Sequence, residues 1–235
     1  MRVTLCIGGS ITVPELPDAE CIREAARVLR ELKAKRFELL VVVGGGKMAR
    51  RYIEAARELK ATQTYCDIVG IDITRINARL LIAALGDIAA PNPITTFDEA
   101  IRAMLRGKIP VMGGTVPGHT TDAVAAGLAD ASHSDLLVFF TDVDGVYTAD
   151  PKLDPNAKKF ETMTTRQLVE LVGGVRMKPG VKTVVDPVGA KIIDRSRIRT
   201  IVLGKAELPR LQKILEGAKR SGTTIVPREK RGRGS

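Results

Sequence analysis

The sequence predicts an α/β protein with a mostly parallel central sheet sandwiched by helices. Short aliphatic runs bounded by Gly, Pro or Asp alternate with helical patterns almost from end to end, the pattern of strands joined by crossover helices. Aromatic residues make up only 3% of the chain and Trp is absent, so a core must be built from Val, Ile, Leu and Ala, a composition suited to strands covered on both faces. At 235 residues with 44% hydrophobic content and no visible linker, one domain, or one domain with two lobes, is expected. Its body spans residues 1–227, and residues 228–235 form a basic flexible tail.

Strands are expected at Arg2 to Ile7, Glu38 to Val43, Ile88 to Ala90, Lys108 to Met112, Asp135 to Phe140, Thr200 to Leu203 and Thr223 to Val226. Helices lie between them. Three starts are chemically explicit: Thr96-Phe97-Asp98-Glu99 and Thr164-Thr165-Arg166-Gln167 fit the capping box, and Asp186-Pro187 places an acceptor before a first-turn proline. Asp67 to Leu85 reads as one long helix with Ile71, Leu80, Leu81 and Ala84 among its apolar positions.

Charge and cysteines narrow the function. The formal charge is +10, and Arg228-Glu229-Lys230-Arg231-Gly232-Arg233 carries four cations against one Glu, leaving about +7 on the body. That balance suits nucleic acid, an anionic surface or small phosphorylated substrates. Cys6, Cys21 and Cys66 form no CxxC pair and no metal-ligand spacing, so neither a disulfide framework nor a zinc site is expected and a reducing cytoplasm fits best. No apolar run reaches membrane-spanning length.

The chemistry is carried by loops that follow strands. Gly8-Gly9-Ser10 follows the first, and Gly44-Gly45-Gly46-Lys47 follows the second just before the helical pattern Met48 to Leu59. Bare backbone at a helix start attracts phosphate oxygens, although a glycine pair after a strand, taken alone, is more often a tight turn than a phosphate site. The second turn also fits G-x-G-x-x-A through Gly44, Gly46 and Ala49. A dinucleotide site would need another strand after that helix, and Ala61 to Tyr65 shows no strand pattern. No G-x-x-x-x-G-K-[ST] occurs. A third loop, Gly113 to Asp122, gathers hydroxyls, bare amides and a helix start, with the helix expected at Ala123 to Ala131 and Thr121 or Asp122 available as its cap. A fourth, Thr141 to Pro151, reads either as an Asp-Gly hairpin or as a holder of a purine and its ribose. Gly173-Gly174-Val175-Arg176-Met177-Lys178 offers a flexible stretch bearing cations.

Together IGGSITVPE (Ile7 to Glu15), VVVGGGKMARRYIEAA (Val41 to Ala56), DIVGIDITRINARLLIAALG (Asp67 to Gly86), PVMGGTVPGHTTDAVAA (Pro110 to Ala126), DVDGVYTADP (Asp142 to Pro151) and VVDPVGAKII (Val184 to Ile193) resemble the amino-acid kinase family. The resemblance runs from Met1 to about Pro227 and, within the family, is to the archaeal type of UMP kinase. It implies a three-layer fold with an N-terminal acceptor-binding lobe and a C-terminal ATP-binding lobe. The implied reaction is phosphorylation of UMP by ATP with Mg²⁺, giving UDP and ADP, in a homohexamer assembled from dimers. The resemblance assigns Gly9, Ser10, Gly46 and Arg50 to the ATP phosphates, and Thr141, Asp142, Tyr147 and Asp150 to its adenosine side. UMP would meet Gly45, Asp67 at the sugar, and Thr115, Val116, Pro117, Gly118, His119, Thr120 and Thr121 around its phosphate, with Asp122 and Lys178 catalytic and no protein metal site. A uridine preference would rest on Asp67, Arg75, Asn77 and the Gly113 to Asp122 loop.

The chain departs from the family pattern twice. Many members carry Lys just before the first glycine pair, whereas here the residue two before Gly8 is Cys6. Lys178 is therefore the candidate cation, with Lys47 and Lys182 in reserve. Archaeal members often carry Asn where this chain has Asp142, which adds a carboxylate beside the nucleotide. Two rival functions are a sister kinase of another small phosphate or carboxylate and a non-catalytic nucleotide-binding protein on the same fold. A nucleic-acid role comes third.

Overall fold

The computed structural model describes residues 1–173 and 184–227. The Gly174 to Lys178 stretch, Lys182 and the expected basic tail lie outside the described residues. Strand β1 (Arg2–Ile7) leads through the short helix α1 (Gly9–Thr12) to α2 (Ala19–Ala34) and β2 (Glu38–Val43). Then come α3 (Gly46–Glu58), α4 (Gln63–Leu85), α5 (Phe97–Leu105), β3 (Val111–Met112), α6 (Thr121–Ala131) and β4 (Leu136–Thr141). The second half holds β5 (Thr162–Thr164), α7 (Thr165–Val172), α8 (Pro187–Ser196), β6 (Thr200–Gly204), α9 (Leu211–Leu215) and β7 (Thr223–Val226).

Among the described residues these strands form one sheet in the order β3-β2-β1-β4-β6-β7-β5. Every pairing is parallel except β6 with β7. The strands are buried on both faces because each supplies alternate side chains to two cores. Leu5, Ile7, Val41, Val138 and Phe140 pack under α2, α4 and α9, while Cys6, Leu40, Val42, Leu137 and Phe139 pack under α5 to α8. This is the expected helix-sheet-helix sandwich, and its interior is aliphatic as composition required.

The local signals held at the three explicit helix starts. Thr96 accepts the Glu99 amide, Thr164 and Gln167 complete a capping box, and Asp186 caps α8 ahead of Pro187. Three strand expectations need correction. Ile88 to Ala90 is not a strand: a 3₁₀ turn at Gly86–Ile88 leaves only a single bridge between Ala89 and Ile109. The strand expected from Lys108 shortens to Val111–Met112, because Pro110 has no N–H to donate to a ladder. β5 was not expected, since Thr162-Met163-Thr164 is too short and polar to show an apolar run.

The chain climbs from β1 to β2 and β3 on one side, then returns to β4 on the other side of β1. Open α/β sheets bind ligands where the order reverses, outside the carboxyl ends of the strands. There the turns after β1 and β2 meet backbone to backbone. A Cβ built on Gly9 would lie 2.0 Å from the Gly46 amide nitrogen and 2.6 Å from the Gly45 carbonyl carbon. Gly46 has φ +67°, and its Cβ would fall 2.5 Å from the carbonyl oxygens of Gly9 and Val13. No side chain fits at either position. Gly9→Ala should therefore cost about 3 kcal/mol or more, a fall of roughly 6 to 12 °C in Tm at this chain length. A thermal melt within 2 °C of the unmutated protein would show, at ~1 kcal/mol or less, that the turns are not interlocked.

Candidate active site

The interlocked turns form one wall of a cleft of about 560 Å³. Gly8 and Gly45, the residues before α1 and α3, supply no side-chain cap; the Ile11 amide is taken by the Gly8 carbonyl at 3.0 Å, which leaves the Gly9 and Ser10 amides and those opening α3 for an outside acceptor. Asn77, buried on α4, donates to the carbonyls of Gly44 (2.9 Å) and Gly45 (3.2 Å). It turns the carbonyls of the second turn away from the cleft. Gly9, Ser10, Gly45, Gly46 and Arg50 line this wall. Lys47 does not: its ammonium pairs with Glu15, which removes it as a reserve cation for the cleft.

The opposite wall is the loop after β3, held from behind by α4. Thr74 Oγ1 accepts the Gly114 amide at 2.6 Å while donating to the Ile71 carbonyl at 2.6 Å. Arg75 donates to the carbonyls of Gly114 (3.2 Å) and Thr115 (3.3 Å), and Asp67 accepts the Gly118 amide at 2.9 Å. Arg75 and Asn77, expected as specificity residues, thus bind loop backbone. Asp67, Gly118, His119, Thr120 and Thr121 line the cleft, whereas Thr115, Val116 and Pro117 do not. Thr74 was missed because nothing in its sequence context separates it from an ordinary helix threonine. Only packing shows that it is a buried polar group aimed at Gly114.

Asp122 sits in the first turn of α6. The cap is Thr120, whose Oγ1 accepts the Ala123 amide at 3.2 Å, rather than Thr121 or Asp122, and the helix begins at Thr121, two residues before its expected start. The Asp122 residue is half-buried, but its carboxyl points into the enclosed floor beside Cys6, whose Sγ lies 3.7 Å from Oδ1. Burial and then the negative charge of Asp186 push the Asp122 carboxyl up to about 7, against a smaller opposing pull from Cys6 and the Asp186 amide. Burial likewise pushes the Cys6 thiol well above its ordinary value, with Asp122 adding to the effect. Cys6 is therefore a neutral thiol, and Asp122 gains no cation from it.

Beyond β4, the Asp144-Gly145 pair does not make a two-residue hairpin. Residues 142–161 form a long loop pinned by one bridge between Tyr147 and Lys159. Asp144 is its hub, accepting from Tyr147 Oη (2.5 Å), Lys159 Nζ (2.6 Å) and Ser221 Oγ (3.1 Å). Burial opposes ionisation of Asp144, but the bonds from Lys159, Tyr147 and Ser221 outweigh it and bring the carboxyl down to about 2. The bond to Asp144 pushes the Tyr147 phenol up to about 12. Its hydroxyl is thus engaged, leaving the ring to face a ligand. Thr141, Asp142, Tyr147 and Asp150 all line the cleft, and Asp142 is paired with Lys152 at 2.6 Å. The extra carboxylate does not stand uncompensated.

Residues 1–204 match the amino acid kinase family. The chain is 51% identical over 227 residues to the uridylate kinase of Pyrococcus abyssi, covering 97% of this chain and 100% of that protein. To the uridylate kinase of Thermococcus kodakarensis it is 49% identical over the same span, again 97% and 100%. The crystal structure of uridylate kinase from Archaeoglobus fulgidus superposes with a TM-score of 0.84 at 44% identity, covering 96% of this chain and 100% of that one.

The Asp122 environment predicts an inverse pH dependence of stability. Because its folded pKa lies above the unfolded value of 3.8, the native state holds the proton more tightly. This contribution is fully present below about pH 4 and is lost as pH rises through 7. In the ligand-free protein Asp122→Asn should therefore raise unfolding free energy at pH 8 by about 2 to 4 kcal/mol and leave it nearly unchanged at pH 4. Urea denaturation at the two pH values measures the difference. An equal effect at both would refute a strained carboxylate.

Proposed function

Because the chain belongs to the amino acid kinase family, we propose that it is a UMP kinase, transferring the γ-phosphoryl group of ATP to UMP to give UDP and ADP. The observation that carries this reading is the placement of two phosphate-seeking walls on one cleft. The uncapped glycine turns after β1 and β2 face the threonine-rich loop that opens α6. Relatives about half identical over nearly the whole chain, named uridylate kinase, support the choice of acceptor. The wider role follows from the activity: pyrimidine nucleotide synthesis in the cytoplasm.

Donor and acceptor are both anions, so the chain's task is to hold them in line and to compensate charge. Gly9, Ser10 and Gly46 would present amides to the donor phosphates with Arg50 beside them. Thr141, Asp142, Tyr147 and Asp150 would take the adenosine, the Tyr147 ring serving as an apolar face. Gly45 and the loop from Thr115 to Thr121 would receive UMP, with Asp67 at its sugar. Thr115, Val116 and Pro117 do not line the cleft and would act from outside its wall. Among the described lining residues the cations are Arg50 and Lys152, against Asp67, Asp122, Asp142 and Asp150. More positive charge is needed, and Lys178 supplies it in this reading, with Asp122 orienting cations rather than attacking.

Mg²⁺ fits as an ion carried on nucleotide phosphates, since among the described residues no group of three His, Cys, Asp or Glu side chains could hold a metal. When bound it neutralises phosphate charge. Assembly into a homohexamer is part of the same proposal. Tyr52, Tyr65, Ile68 and Ile76 leave apolar surface exposed on α3 and α4, which burial between subunits would cover.

With ATP and Mg²⁺, UMP should yield UDP and stoichiometric ADP while CMP, AMP and a non-nucleotide phosphate do not; absence of UDP would overturn the reading. Lys178→Ala should lower kcat about ten- to a hundred-fold, the worth of one charged hydrogen bond made in the transition state, and normal turnover would exclude it from catalysis. Asp67→Asn should raise the KM for UMP and spare that for ATP. A change confined to the ATP KM would mean the two nucleotide sites are assigned the wrong way round.

A further inference from the structure

Asp186 does not line the cleft, yet two of its polar groups, Oδ2 and the backbone N–H, face residues that do. Its Oδ2 accepts the Thr120 hydroxyl at 2.5 Å, and its Oδ1 accepts the amides of Val188 (2.7 Å) and Gly189 (3.2 Å) at the start of α8. Its own backbone N–H lies toward the Asp122 carboxylate and favours its charged form. Thr120 in turn caps α6 through Ala123. The two helix starts also touch directly: a Cβ on Gly189 would lie 3.3 Å from the Ala123 amide nitrogen and 3.3 Å from the Asp122 carbonyl carbon. An ordinary helix cap explains the bonds to Val188 and Gly189. It does not explain the bond to Thr120, 66 positions earlier in the chain, or the packing of this turn on Asp122.

We propose that Asp186 is a positioning residue for phosphoryl transfer, clasping the start of α8 to Thr120 and Asp122 so that the acceptor-phosphate loop and the catalytic carboxylate keep one geometry. The inference rests on the assignment of that loop and of Asp122 to transfer between ATP and UMP. It also revises the part played by Thr120. With its proton given to Asp186 and its lone pair to Ala123, the Thr120 side chain orients the loop. Thr121 is left to meet the phosphate, together with loop amides other than those of Gly114, Gly118 and His119, which are already bound. Among the described residues, the ionisable groups facing the Asp122 carboxyl are Cys6 from β1 and Asp186 from the start of α8. A neutral residue at 186 removes the one negative charge among them.

Asp186→Asn separates this role from capping, because Asn caps helices as well as Asp but carries no charge and loses one of the two acceptor oxygens. The expected result is a melting temperature within about 3 °C of the unmutated protein with kcat lowered about ten-fold or more. The UMP KM should rise several-fold and the ATP KM should stay within about two-fold. The acid limb of kcat should move down by about one pH unit, as should the Asp122 carboxyl titration followed by ¹³C NMR in the ligand-free protein. Thr120→Val added to Asp186→Asn should raise the UMP KM no further, since the two residues act through one bond. Wild-type kinetic constants in Asp186→Asn, or a uniform loss with neither the acid limb nor the Asp122 titration displaced, would reduce Asp186 to a helix cap and overturn the clasp alone. Failure of the unmutated protein to form UDP would instead overturn the assigned reaction and the catalytic part of this inference with it.

Discussion

The structure depends on the contact of two backbones, Gly8 to Ser10 lying against Gly44 to Gly46 with no side chain between them. Parallel pairing of β1 with β2 in register from Arg2 and Glu38 to Ile7 and Val43 brings the two turns out at the same height. The missing Cβ atoms let them close to within peptide distance. Amides from two separate crossovers then share one small volume, which neither turn could provide alone. The same closeness leaves little freedom for the floor of the cleft, and α4 tightens it further by tying Asn77 to Gly44 and Gly45 on one side and Thr74 to Gly114 on the other. Both cleft walls are thus braced on a single helix.

Electrostatics around the cleft follow from that arrangement. Its glycine turns offer backbone dipoles, while its described lining side chains set two cations, Arg50 and Lys152, against four carboxylates. Where a carboxylate is partnered, as Asp144 is with Lys159 and Asp142 with Lys152, its charge is compensated. Asp122 instead faces a neutral thiol and a second carboxylate, and its proton affinity is raised accordingly. Such a group is costly in the empty protein and is relieved by arriving cations. Cys6 makes that dependence stronger, because the strand beneath Asp122 sets a thiol and no positive charge against it.

Much of this was legible in the sequence. Alternation of aliphatic runs and helical patterns specified the sandwich and located β1, β2, β4, β6 and β7, because strands buried on two faces must be continuously apolar. Explicit caps at Thr96, Thr164 and Asp186 placed three helix starts, since a hydroxyl or carboxylate before a helical run satisfies amides that nothing else nearby can reach. What failed was short or interrupted. Pro110 cut β3 to two residues, and the polar Thr162 to Thr164 became a strand only because β7 was there to pair with it. Among the site residues, the glycine turns and the Thr120 to Asp122 cluster were visible as local patterns, whereas Thr74 and Asp144 gain their roles from partners 40 and 77 positions away.

The sequence by itself determined the layered α/β fold, the four loops that bear chemistry and their order, all properties of local composition and of family pattern. Only the tertiary structure decided how the turns share their work. It showed that the two glycine turns form one wall rather than two sites, that Arg75 and Asn77 grip backbone rather than project into the cleft, that Lys47 is spent on Glu15, and that Asp186 reaches across to Thr120 and Asp122. The reason is common to all four. Each outcome is a contact between segments brought together by parallel crossovers, and no periodicity or spacing along one segment records which distant backbone will come to lie against it.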